Sequence, residues 1–130
     1  MKAIVVDREW LVRDTLKKKL QGLGYNVFTT DTAENALNLC IIHDVDLIIT
    51  GVKLPEMSGF ELIERITSGR KDLDITSILL LERDEKLEEI LGSRSGIKGY
   101  MTKPVTGEAL ERCLMQQKKD EESGASGQTV

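Results

Sequence analysis

Three short apolar runs constrain this chain more than anything else in it. They are Ala3-Ile4-Val5-Val6, Leu47-Ile48-Ile49 and Ile78-Leu79-Leu80-Leu81, each bounded by polar residues. A strand with no polar side chain needs cover on both faces, as in a parallel sheet sandwiched by helices. Val27-Phe28-Thr29-Thr30 is more polar and reads as an edge strand, and Gly99-Tyr100-Met101-Thr102 supplies a fifth short strand.

Helical patterns fill the intervals. Val12, Leu16, Leu20 and Leu23 make one stripe of a helix over residues 9–21, which Gly22 and Gly24 stop. A second helix starts at a Thr32 cap, carries Glu34 in its first turn and is predicted to bury Ala36, Leu37, Cys40 and Ile41. A third holds Phe60, Ile63 and Ile66 and ends near Gly69. A fourth holds Leu87, Ile90 and Leu91 and ends near Gly92–Gly96. A fifth follows Thr106, has Glu108 near its start and buries Ala109, Leu110, Cys113 and Leu114. Strands alternating with helices in this way predict a doubly wound α/β sandwich: a five-stranded parallel sheet flanked by five helices. The expected domain covers 1–117. Residues 118–130, KKDEESGASGQTV, have too little apolar surface to offset their ordering entropy and read as a disordered tail or linker stub.

Composition removes several function classes. Eighteen basic residues against 22 acidic ones leave a net charge of −4, with no basic excess for nucleic acid or for an anionic membrane. Aromatic residues at 4% give few stacking platforms for single strands. Cys40 and Cys113 stand in apolar helical patterns, and one histidine with no CxxC spacing cannot build a zinc site. The two thiols fit a reducing cytoplasm, and no signal peptide or membrane span is visible, so a cytoplasmic protein is expected.

In open α/β sheets, ligands bind beyond the C-terminal ends of the strands. Those ends carry Asp7-Arg8-Glu9, the segment Thr50 to Gly59, Leu81-Glu82 and Thr102-Lys103-Pro104. The strand ending IVVD, the segment DLIITGVKLPEMSGFEL, the strand SILLLE and the segment KGYMTKPVTGEAL resemble a bacterial response-regulator receiver domain, the CheY-like fold, over residues 2–117. The LPxMxG loop and the Lys-Pro pair together are fairly specific to that family.

The resemblance implies a flavodoxin-like strand order 2-1-3-4-5. It also implies chemistry: an aspartate ending strand three accepts a phosphoryl group, acidic residues after strand one hold Mg²⁺, and a Ser/Thr and a Lys hold the phosphoryl oxygens. A carboxylate is the nucleophile, the dication offsets the transferring charge, and lysine and hydroxyl bind the product. Carried over residue by residue, the phosphoacceptor position is Gly51. The first acidic position is Asp7, the metal-ligating one is Arg8, and the Ser/Thr position is read as Leu81. Lys103 is kept, followed by Pro104 in what the family usually holds as a cis bond, and the switch aromatic is Tyr100. Glycine has no nucleophile. Asp7, Arg8 and Lys103 together are net positive, which predicts loss of Mg²⁺ and leaves the chain without a cofactor.

The residues around this pocket have plainer readings too. Arg8 is expected to act as a built-in cation paired with Asp7, the alternative being a solvent-facing side chain with no role; Lys103, deprived of a phosphoryl partner, can turn to Asp7 or else reach solvent past Pro104. Tyr100 reads as a partly exposed face residue, since Leu81 has no hydroxyl to drive a switch. Glu9 reads as a helix N-terminal charge, Trp10 as a partly exposed reporter, and His43 as a capping or surface residue. Thr50 and Ser58 lack the base or metal a surrogate nucleophile needs.

The leading expectation is therefore a non-enzymatic, phosphorylation-independent interaction module of two-component signalling. Its expected partner is a protein or a second copy docked on the face of the fourth helix, fifth strand and fifth helix, which holds Glu85, Lys86, Glu89, Arg94, Lys98, Tyr100, Glu111 and Arg112. A histidine kinase or an output domain is the kind of partner the resemblance implies. One alternative is an ordinary phosphorelay regulator with Gly51 introduced, although Arg8 and Leu81 then need separate explanations. Another is a flavodoxin-like binder of a small anion or nucleotide, although neither a P-loop nor GxGxxG occurs.

Overall fold

The computed structural model describes residues 1–68, 75–83 and 99–122. Its elements, in chain order, are β1 (Lys2–Val6), α1 (Trp10–Gly22), β2 (Asn26–Thr30), α2 (Ala33–Ile42), β3 (Leu47–Gly51), α3 (Gly59–Ser68), β4 (Thr76–Leu81), β5 (Gly99–Thr102) and α4 (Gly107–Glu122). All strand pairings are parallel, in the order β2-β1-β3-β4-β5. Four helices stand among the described residues. The predicted helix around Leu87, Ile90 and Leu91 lies outside them.

Strand periodicity divides the core in two. Ala3 and Val5 of β1, Leu47 and Ile49 of β3, and Ile78 and Leu80 of β4 face α1 and α4, against Val12, Leu16, Leu20 and Leu110. Their neighbours Ile4, Val6 and Ile48 face the other way, against Ala33, Ala36 and Cys40 of α2 and Leu62 and Ile66 of α3. The apolar runs are buried on both faces for this reason.

Local chemistry sets the helix ends. Thr32 Oγ accepts a hydrogen bond from Asn35 N at 3.2 Å, and Thr106 Oγ1 accepts one from Ala109 N at 3.0 Å. After α1, Gly24 takes a φ of 96°, a left-handed turn that favours glycine, and returns the chain to β2.

Two expectations need correction. Ile41 was placed in the core, but it is 78% exposed: the inward stripe of α2 is Ala33, Ala36 and Cys40, and Ile41 stands about 100° further round the helix. The last helix continues to Glu122, five residues past the expected boundary at 117. Lys118-Lys119-Asp120-Glu121-Glu122 contains no glycine or proline, and its lysines and glutamates are good helix formers. The first glycine beyond is Gly124, outside the described residues.

Candidate functional site

The C-terminal ends of β1, β3 and β4 meet the loop after β5 around one ammonium. Asp7 directly follows β1 and is buried, with its N–H donating to Thr30 O at 3.1 Å. Asp7 Oδ1 accepts from Glu9 N at 2.9 Å, and Arg13 Nη1 donates to Asp7 O at 2.8 Å, so the turn into α1 is fixed from both sides. Lys103 reaches in from the far edge of the sheet. Its Nζ donates to Glu9 Oε1 at 2.8 Å, to Glu82 Oε1 at 2.9 Å and to Asp7 Oδ1 at 3.2 Å. Its backbone N donates to Leu81 O at 2.9 Å, placing Lys103 beside the end of β4. Burial by itself would lower the pKa of this ammonium. The carboxylates of Glu9, Glu82 and Asp7 outweigh burial and hold it above the usual lysine range.

Gly51 ends β3 within this cluster. A Cβ built there would stand 2.6 Å from Asp7 Oδ2, so the carboxylate of β1 fills the space a side chain at 51 would take. That Oδ2 is buried and accepts no hydrogen bond, although it lies 3.2 Å from Lys103 Nζ. The distance satisfies an ion pair, while the direction is poor for a hydrogen bond, which Oδ1 takes instead. Below Gly51 the chain folds back tightly. Gly59 N donates to Val52 O at 2.7 Å, and a Cβ on Gly59 would overlap the Gly51 carbonyl oxygen, which requires glycine there. Ser58 Oγ caps α3 by accepting from Glu61 N at 3.2 Å, and Thr50 Oγ1 donates to Gly51 O at 3.0 Å. An open cleft of about 440 Å³ lies above the cluster, lined by Asp7, Arg8, Glu9, Gly51, Val52, Lys53, Glu82 and Lys103.

The family profile of the response regulator receiver domain matches residues 3–114. The chain belongs to that family. It is similar to the alkaline phosphatase synthesis transcriptional regulatory protein PhoP of Bacillus subtilis, with 33% identity over 103 residues, covering 79% of this chain and 42% of that one. It is also similar to a chemotaxis protein CheY homolog of Campylobacter jejuni, with 31% identity over 116 residues, 88% of this chain and 89% of that one. Among solved structures, the chemotaxis response regulator CheY4 of Vibrio cholerae superposes with a TM-score of 0.77 at 27% identity, over 89% of this chain and 97% of that one. The receiver spans 42% of the length of the probable transcriptional regulators ycf27 and of PhoP.

In this receiver the pocket differs from its sequence reading at three side chains. Arg8 is exposed and forms no ion pair with Asp7 among the described residues; Lys103 holds that carboxylate instead. Leu81, read as the pocket position of β4, points the other way and packs with Phe60, Ile63 and Leu79. The parity of β4 explains this: Ile78 and Leu80 face α1, so the next residue on that side is Glu82, whose carboxylate enters the pocket. Glu9, read as a helix N-terminal charge, bonds Lys103 as well. Three carboxylates thus share the cleft with Arg8, Lys53 and Lys103, so its formal charge is zero where the sequence count made it positive. The continuous apolar run before Glu82 hides this parity in the sequence. For Glu9 there was no signal, because its position follows from the approach of Lys103 across the sheet.

The remaining residues fall into place around this cluster. The Lys103–Pro104 peptide bond is cis. Tyr100 on β5 is 51% exposed, and Trp10, the first residue of α1, is 66% exposed. His43 stacks on Phe28 with ring centroids 4.3 Å apart and accepts from Lys2 Nζ at 3.3 Å. Of the expected docking face, Glu85, Lys86, Glu89, Arg94 and Lys98 lie outside the described residues, and Glu111 pairs with Lys19 of α1 at 2.9 Å. No helix among the described residues is long and apolar enough to cross a membrane.

Proposed function

We propose that this receiver signals without being phosphorylated, as a protein-interaction module of a two-component system. The observation that carries the reading is the occupation of the Gly51 site: no side chain is present to attack a phosphoryl group, and Asp7 Oδ2 stands in the vacated space. The donor set does not fit Mg²⁺ either. That ion prefers octahedral oxygen ligands at about 2.0–2.1 Å. Here Arg8 brings a cation to the metal-ligating position, Gly51 brings no ligand atom, and the carboxylates of Asp7, Glu9 and Glu82 converge on an ammonium. Gly51, Arg8 and Glu82 depart from the phosphorylatable pattern together, which disfavours a single introduced change at 51. A small-anion site is disfavoured because Lys103 Nζ already donates to three carboxylates.

On this reading the partners are proteins of the signalling pathway in the cytoplasm: a histidine kinase, an output domain or a second copy, met through the face that includes Tyr100 and Arg112. Incubation with Mg²⁺ and acetyl phosphate, followed by intact mass and Trp10 fluorescence, tests it. The expected result is an unchanged mass and no saturable fluorescence change. A gain of one phosphoryl group, whether on Asp7 or elsewhere in the cluster, overturns the reading.

A further inference from the structure

Lys103 is the only residue among those described that bonds three carboxylates from separate places in the fold: Asp7 at the end of β1, Glu9 at the start of α1 and Glu82 at the end of β4. An ammonium has three N–H donors, and all three are engaged. Asp7 is 2% exposed and Lys103 11% by side chain, so this end of the cluster is shielded from solvent, while Glu9 and Glu82 lie at its mouth at 55% and 43%. Glu82 is the member that connects neighbouring strands. It follows β4 directly, and the Lys103 N–H bond to Leu81 O lies beside it, so side chain and backbone join the same two strand ends.

We infer that Glu82 is an internal counter-anion: its carboxylate satisfies Lys103 and so holds the ends of β1, β4 and β5 in one arrangement with no external anion bound. This deepens the phosphorylation-independent reading and rests on it, since a lysine already paired with the protein's own carboxylates needs no phosphoryl group to fix its position. Glu82 is a positioning residue.

The test compares the full chain with Glu82→Gln and Glu82→Asp by NMR. One readout is the Lys103 ammonium signal, which is visible only when its protons are held and exchange slowly. The other is the exchange rate of the Lys103 amide. The expected result is a visible ammonium signal in the unaltered chain, its loss in Glu82→Gln with amide exchange about fivefold faster, and its return in Glu82→Asp. An ammonium signal and amide rate unchanged in Glu82→Gln overturn the inference. Should Glu82→Gln fail to fold, Glu9→Gln removes an exposed carboxylate from the same ammonium and must weaken the signal less than fully; an unaffected signal again counts against a shared cluster. Phosphorylation of the unaltered chain defeats the functional reading and leaves these readouts to stand, whereas an indifferent Glu82→Gln defeats only the inference.

Discussion

An alanine at position 51 would bring its Cβ to 2.6 Å from Asp7 Oδ2, closer than real side chains approach, and Asp7 is held on the other side by Glu9 N and Lys103. Gly51→Ala is therefore expected to lower stability by about 1–2 kcal/mol in urea unfolding. Asp7→Ala removes the obstructing oxygen, so the double variant should lose less than the sum, with a coupling of about 0.5 kcal/mol or more. Strict additivity would show that the two positions do not compete for one space. A second residue-scale expectation separates Leu81 from Glu82. Leu81 is 2% exposed among Phe60, Ile63 and Leu79. Leu81→Thr should cost about 2–4 kcal/mol through lost packing and a buried hydroxyl, while leaving the Lys103 ammonium signal unchanged. A change in that signal would put position 81 in the pocket after all. The sequence pattern brought Asp7, Gly51 and Lys103 to one place, because they follow apolar strands whose ends are easy to see. It misplaced the β4 contribution by one residue, since a run of four consecutive apolar residues has no visible alternation to say which side faces the pocket.

At the scale of elements, the ion cluster joins β1, β4, the β5–α4 loop and the start of α1, and its pH dependence follows from Lys103. The folded pKa of Lys103 lies above its unfolded value, the carboxylates outweighing burial. A group raised on folding contributes stability that is fully present below the unfolded lysine pKa of about 10.4 and is lost as pH rises through the folded value. Unfolding free energy should therefore show no Lys103 contribution to its slope between about pH 7 and pH 9 and should fall above about pH 10.4. Lys103→Gln removes that group, so its alkaline slope above this pH should be shallower than that of the unaltered chain; parallel slopes would mean that Lys103 is not held by the carboxylates. The helices themselves were legible wherever a cap and an inward stripe agreed, as at Thr32 with Ala36 and Cys40 or Thr106 with Leu110. They were less legible at their C-terminal ends. Ile41 continues an apolar sequence but has turned out of the stripe, and α4 runs on to Glu122 on helix propensity with no apolar residue to mark it.

For the whole molecule, the decisive fact is that the sheet separates two cores that share backbone but not side chains. Ile78 belongs to the core under α1 and α4, and Ile66 to the core under α2 and α3. This arrangement was readable in advance because only double burial explains runs such as AIVV and ILLL, and double burial in a chain of 130 residues with alternating helices leaves few other architectures. It has an energetic consequence. Ile66→Val and Ile78→Val should each cost about 0.5–1.5 kcal/mol, and with no shared partners the double variant should lose their sum within about 0.5 kcal/mol. Both variants should leave the Lys103 ammonium signal intact, because the pocket lies beyond the strand ends and neither side chain touches it. Chemical unfolding of the four proteins in the cycle gives the answer. A coupling well above that limit would mean that the strands transmit repacking from one face to the other. In that case the ends of β3 and β4, and the cluster built on them, would respond to partners bound on either side of the sheet.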